Sequence, residues 1–590
     1  MRPGTLGLLC LFATGIARPA AAQDTAIVIY PDSAVAPLEQ RELPAIVAEE
    51  IVRFYNAPTT TRLLGRTHLV QGNAWQGDAA VRGGPVFIAG RLEGSLVVVN
   101  GDLALEPGAQ ITGDVIVVGG TVSGTPGAQV GGTVREYREP LPYRLEHDEL
   151  VYTPSLRHRF PRVGAARSWG DASSRSTLLI ATTGTFNRVE GVPVVFGPTF
   201  DWRVGRETRL KLDAVGVFRS AGDLSASRSD LGYLLRAELR AGEYRTAGVG
   251  LRVFDIAAPT EAWGLRDAEV GWAAFLFHRD YRDYFLSKGV AGRAFFQIER
   301  PLHFALEVRR EWQTSVSERD PWTVLRTRHA WRPNPPVDDG HYLTFGATLT
   351  IDTRNDPEDA TTGWLVQLQV EHSRSGDVTP RAGIPAGVRR PLPTDGSYAF
   401  ERVFIDLRRY TRVSPAGRVN ARVVAGGWLG GDALPLQRRV SLGGPDPMPG
   451  YAFRHSACNR DIIDPDFAGT SLAACDRVLV VQAEYRGHIK LNWGYPAGWE
   501  PPEDAQEGRL GRSPVIRLDG PDLVVFAEAG QAWLVGGGPG RVPADRFPTI
   551  GTWLADVGLG IDWAGFGFYV AKAVTVGQPL RFTVRLDHRF

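Results

Sequence analysis

From Ser176 to its last residue the chain alternates polar and apolar side chains, segment after segment. This constrains the fold more than any other feature, because side chains along a strand point in turn to opposite faces. In Arg477–Lys490, Leu479, Val481, Ala483, Tyr485 and Ile489 share one face, and Gln482, Glu484, Arg486, His488 and Lys490 the other. In His341–Arg354 the apolar face is Leu343, Phe345, Ala347, Leu349 and Ile351, against Thr344, Thr348, Thr350, Asp352 and Arg354. Gly363–Ser373 and Phe400–Val413 repeat the pattern, with Gln367, Gln369 and Glu371, then Arg402, Asp406 and Arg408, on the polar sides. About sixteen such segments can be marked, many near the roughly 9–11 residues that a tilted membrane strand needs.

A soluble β-sandwich also alternates, with its apolar face inside. Full charges on the polar face of strand after strand argue for the inverse arrangement, with apolar sides to lipid and polar sides, including Glu484 and Arg486, to a wet lumen. Residues 176–590 are therefore expected to form an all-β fold, a transmembrane antiparallel barrel of about 16 strands, whose even count returns both ends to one side. The 68 glycines and 41 prolines fit many short strands joined by turns. Residues 1–22 carry Arg2, an apolar run from Leu6 to Ile16 and Ala20-Ala21-Ala22, the pattern of a signal peptide. Beyond residue 22 there is no apolar run of about 18 residues, so no membrane helix is expected.

The formal net charge of +1 gives no hint of a nucleic-acid partner. No His-Glu-x-x-His, Gly-x-Ser-x-Gly or phosphate-binding loop is present, so no enzyme, catalytic residue, cofactor or metal is expected. Asp338-Asp339 and Asp461–Asp466 read as solvated loop acids. Cys458 and Cys475 remain after the signal peptide; an exported chain favours a disulfide between them over two free thiols.

Residues 23–80 hold one amphipathic segment, Leu38–Tyr55, with Leu43, Ile46, Val47, Ile51 and Phe54 at helical spacing. A repeat follows. Gly94–Gly101 is echoed by Gly113–Gly120, and Pro107–Ile111 by Pro126–Val130, both at an offset of 19 residues. Short strands with glycine corners at a fixed period indicate a β-helix of about three coils. The region 81–137 resembles the bactofilin family, which implies possible self-association; a small monomeric spacer is the alternative. Residues 138–175, proline-rich and of mixed charge, read as a linker.

One stretch in the C-terminal region cannot be strand: Ser441–Arg454, SLGGPDPMPGYAFR, with Gly-Gly and three prolines. It resembles the lumenal loop of the BamA/TamA superfamily of outer-membrane barrels, also known as bacterial surface antigens. Gly443 and Gly444 match the family's glycines, and Met448-Pro449-Gly450-Tyr451 stands at the tip, where the family has Arg-Gly-aromatic. Phe186–Gly191 resembles the motif near the first hairpin. Asp352-Thr353-Arg354 followed by Gly363-Trp364 resembles the Asp-x-Arg strand end and its turn. Phe526, Glu528 and Gly530 resemble the Phe-x-Asp-x-Gly wall motif, with glutamate in place of aspartate. The last strand, with Phe582, Val584, Leu586 and Phe590 on one face, resembles the signal that outer-membrane assembly machinery reads.

The resemblance implies a loop folded into the lumen, its tip arginine bonded to the wall carboxylate. Here the tip arginine is missing, and Arg454 is the candidate substitute partner of Glu528, an ordinary solvated arginine being the alternative. It further implies the bacterial outer membrane, a periplasmic N-terminal domain, and protein insertion or translocation through a lateral seam. The expected partners are outer-membrane lipid and unfolded outer-membrane proteins or a periplasmic accessory protein. The competing expectation is a scaffold or plugged passive pore joined to periplasmic partners through the β-helix.

Overall fold

The computed structural model describes residues 43–589 except 44, 138–140, 142, 147–148, 153–163, 171–173, 184, 206–207, 222–229, 243–244, 299–301, 326–329, 355–359, 415–416, 459–471, 490, 494–515, 519–520, 564–565 and 587. The signal segment, residues 38–42 of the amphipathic stretch, Asp461–Asp466 and Phe590 lie outside the described residues.

The repeat region is a three-sided parallel β-helix. One side stacks Thr61–Leu64, Ala79–Arg82, Leu96–Val99, Val115–Val118 and Val134–Tyr137; the other two sides have four strands each. Inward Val81, Leu92, Leu96, Val98, Val115 and Val117 form its core. It begins at Thr61, a coil earlier than the sequence repeat suggested. The early coils are spaced 18 and 17 residues apart, and only the last two keep the 19-residue interval. Aligned residues still stack despite the uneven lengths: a Cβ on Gly101 would sit 2.2 Å from the Gly84 carbonyl, and one on Gly120 2.0 Å from that of Gly101. Only glycine lets backbone approach backbone that closely at this corner.

Helix α1, Ala45–Asn56, lies along the outside of the five-stranded side. Its Val47, Ala48 and Ile51 pack on Val97, Val99, Ile116 and Val118, so the runs Leu96–Val99 and Val115–Val118 are buried on both faces. That explains why these strands are continuously apolar rather than alternating. The 138–175 stretch contributes structure of its own. Tyr143–Glu146 pairs with Glu149–Tyr152, and Leu141 and Leu150 join the helix cluster. Asn56 and Asn100 each exchange two hydrogen bonds with the backbone of Leu150 and Leu141 respectively, at 2.8–3.0 Å.

Among the described residues the C-terminal region is one sheet of 18 strands. The two-residue Arg541–Val542 pairs in parallel with Asp522–Val535; the other seventeen form an antiparallel meander from Gly164–Gly170 to Arg581–Arg585. Exposed Leu178, Ile180, Leu251, Leu306, Leu559 and Phe568 cover the outside, while Asp406, Arg422, Glu484 and Arg486 are 5 % exposed or less and point inward. Apolar out and charged in is the arrangement of a membrane barrel. The inner face is not polar throughout: Leu179, Val195, Val215, Val217, Leu234 and Phe254 pack together where the first strands curl.

Counted from Ser174–Thr182 the meander has the expected sixteen strands; the extra one is Gly164–Gly170, GAARSWG. Its small residues leave no hydrophobic alternation to detect. With seventeen antiparallel strands among the described residues, the two edge strands run the same way. Among the described residues the first and last strands share no ladder. The shortest turns, such as those after Arg203, Ala241, Ile298, Ser414 and Trp563, lie at one end of the barrel, which also carries the 33-residue connection from His488 to Asp522; the 259–284, 315–340, 375–398 and 431–477 connections lie at the other. At the short-turn end Arg412 donates to the carbonyl of Gly83 on the β-helix, at 3.3 and 3.4 Å.

Candidate functional site

The loop between Gly417–Gly431 and Arg477–His488 carries SLGGPDPMPGYAFR into the lumen. Its apolar residues supply the hold. Met448, Tyr451, Val440 and Leu442 are buried against Phe404, Val424, Val478, Val480, Leu554 and Ala573 of the wall. The tip then uses backbone rather than a side-chain cation. The Met448 N–H donates to Glu528 Oε2 at 2.7 Å, and the Gly450 N–H to Asp556 Oδ2 at 2.6 Å. Hydrogen bonds from backbone amides to carboxylates are among the stronger kinds. A Cβ on Gly450 would lie 2.6 Å from Asp556 Cβ and 2.8 Å from the Ala573 nitrogen, so this approach needs glycine. The Tyr451 hydroxyl donates to the Ala555 carbonyl at 2.9 Å and lies 2.8 Å from Thr575 Oγ1. Cys458 and Cys475 are bonded behind the loop.

Arg454 does not reach Glu528. Its guanidinium pairs with Glu261 at 2.6 Å and with Asp283. Asp283 also takes Arg188 at 2.7 Å and Arg332 at 2.6 Å. Burial pushes the Asp283 carboxyl up, but Arg332, Arg454 and Arg188 outweigh it and hold the group well below the usual carboxylate range. Arg188 belongs to the Phe186–Gly191 motif and bonds Asp280, Arg282 and Asn334 as well. One buried nexus therefore ties the loop after the second strand, the 260–283 loop, the 316–339 loop and the Gly-rich loop together. Pairing between residues 49 to 193 positions apart has no local sequence signature.

Between the strands Arg245–Pro259 and Tyr284–Ile298 lies helix α2, Asp267–Phe277. Ala274 and Phe275 of α2 pack with Phe186 and Val192 after the second strand. Glu269, on its first turn, accepts both Arg585 Nε at 2.6 Å and Arg585 Nη2 at 3.0 Å, and also the Leu586 N–H at 3.1 Å. The helix thus spans from the loop after the second strand to the last strand inside the barrel. Arg585 additionally lies 3.8 Å from Asp446 of the Gly-rich loop.

The remaining predicted residues fall as follows. Phe526 and Glu528 point inward, and Gly530 lies against Leu442 of the loop. Glu484 and Arg486 face the lumen and pair with each other at 2.8 Å; Arg486 also pairs with Asp562 at 2.8 Å. Asp352 and Arg354 pair with each other at 2.8 Å at the strand end. Phe582 and Val584 are exposed on the outer face, but the strand stops at Arg585 and Leu586 does not continue the alternation. Asp338 is buried rather than solvated. It accepts the Leu436 N–H at 2.8 Å and the Arg381 N–H at 2.7 Å and pairs with Arg389. Among the described residues no group of three or more metal-ligating side chains is assembled.

No protein-family model matches this chain, and no curated protein matches it. Among solved structures it is similar to BamA from Haemophilus ducreyi lacking POTRA domains 1-3, with 9 % identity over 75 % of this chain and 80 % of that one and a TM-score of 0.37. It is similar to CdiB from Acinetobacter baumannii, with 9 % identity, 76 % and 70 % coverage and a TM-score of 0.27. It is also similar to OccK11 (OpdR) from Pseudomonas aeruginosa, with 11 % identity, 74 % and 97 % coverage and a TM-score of 0.24.

Proposed function

We propose that this chain is an outer-membrane barrel of the surface-antigen type that works in outer-membrane biogenesis, pairing a client strand with an edge at the seam between its first and last strands. The seam carries the reading. Gly164–Gly170 and Arg581–Arg585 make no ladder with one another among the described residues, in a wall whose outer face is apolar. Unpaired backbone groups in hydrocarbon are costly, and that cost is an affinity for any strand that can satisfy them. The lumen is occupied by the Gly-rich loop and α2, which supports lateral passage over axial conduction. Contact between Arg412 and Gly83 supports a β-helix on the short-turn, periplasmic side. No catalytic step is part of this reading.

A scaffold role draws support from Met448, an apolar anchor at the loop tip. The two readings separate in one experiment: assembly of an unfolded porin into liposomes containing the folded protein, against empty liposomes. Acceleration that stops when outward-facing cysteines at Ala165 and Val584 are oxidised supports the seam; neighbouring positions are paired in the same way to cover the register. No acceleration by the folded barrel overturns it in favour of the scaffold.

A further inference from the structure

The chain bends into the lumen after Arg585, and its penultimate residue is the group it delivers there. Arg589 is 2 % exposed. Its guanidinium carbon stands 3.6 Å from the centroid of Phe526 and 5.5 Å from that of Tyr569. The same guanidinium pairs with Glu528 and lies 3.6 Å from Glu484. His588 lies 2.9 Å from both Asp562 and Arg486. A planar cation between two ring faces and a carboxylate is well suited to fixing one geometry.

Glu528 therefore serves two segments at once. One oxygen accepts the Met448 N–H of the Gly-rich loop, and the other faces Arg589 at the end of the last strand. We propose that Glu528 couples the seam to the plug: when the last strand leaves its place, Arg589 is withdrawn and the hold of Glu528 on the Gly-rich loop weakens. The physical reason is counter-charge. A buried carboxylate that loses its cation takes up a proton or turns toward water, and either change loosens a bond that depends on its charge. The inference rests on the seam being the moving part, but its test contains no client.

The readout is tryptic cleavage after Arg454, which is 4 % exposed and becomes a substrate only when the loop undocks. In the purified folded barrel, Arg589→Gln is expected to speed this cleavage at least tenfold, and Glu528→Gln to do the same. Because the two act through one bond, the double variant should be no faster than either single one. Arg589→Lys keeps the charge and should stay near the wild-type rate. Folding is checked by heat-modifiable mobility, and if Arg589→Gln fails to fold, Arg589→Met, which removes the cation and keeps an apolar stem against Phe526, takes its place with the same expected rise. A rate within twofold of wild type in the folded variant, or a double variant whose effect is the product of the singles, overturns the coupling. A failure of porin assembly leaves these rates unaffected, so the two proposals fail separately.

Discussion

Asp283 is the residue on which the plug most depends, and Asp283→Asn is the perturbation to make. Its carboxylate meets Arg188 at 2.7 Å and Arg332 at 2.6 Å, and pairs with Arg454. Removing one partner of a buried ion pair costs about 3–5 kcal/mol, because the other charge is left uncompensated. Three cations push toward the upper limit. Arg188 keeps Asp280 at 3.1 Å and Arg454 keeps Glu261 at 2.6 Å, which pulls the value back. We take about 4 kcal/mol, or roughly a thousandfold rise in the undocked loop population at about 1.4 kcal/mol per decade. Glu261→Gln is the comparison. It leaves the Asp283 contacts in place, and Gln can still accept from Ser441, whose N–H lies 2.8 Å from the Glu261 carboxylate. The loss should then be that of one charged hydrogen bond, about 1.5–3 kcal/mol. The assay is tryptic cleavage after Arg454 under conditions where opening and closing are fast, so that the rate follows the open population. Both variants folded, but Asp283→Asn no faster than Glu261→Gln, would refute the idea that Asp283 is the shared anchor.

Acidification tests the same group by a different route. The folded Asp283 carboxyl is held below its ordinary value, so its contribution is fully present above about pH 4, the ordinary aspartate range, and is lost only as pH falls through the depressed folded value. Hydrogen exchange at Arg454, whose N–H donates to the Gly443 carbonyl, corrected for intrinsic rates, should be flat from pH 7 to about pH 4 and rise only below; loss of protection there near pH 6 would assign the hold to another group. Gly450→Ala forces a Cβ to within 2.6 Å of Asp556 Cβ and should undock the tip, raising cleavage after Arg454 while leaving heat-modifiable mobility unchanged. Ile51→Ala removes a fully buried side chain between α1 and the β-helix, at a cost of about 2–5 kcal/mol. Limited proteolysis should then release α1, and an intact helix would mean that the hairpin and not α1 covers that face.

Periodicity, composition and the 19-residue repeat were enough to specify an inverted β-barrel behind a β-helix, because strand alternation and coil stacking are local properties. The lumen-facing side of Glu484, Arg486, Phe526 and Glu528 followed from the same period of two. What the chain does inside its barrel depended on tertiary structure. Arg454 turned to Asp283 and Glu261 rather than Glu528, and Asp338 became a buried anchor, because partners brought together across the lumen are far apart in sequence. The first strand, GAARSWG, had too few large apolar residues for its pattern to show. Arg585 and Arg589 fall on the lumen side of the terminal alternation, but their partners Glu269 and Glu528 lie far off in the chain and could not be read from it. A period of two says which face a residue takes while a strand continues. Where the strand stops and the chain turns inward is decided by the charges already waiting in the lumen.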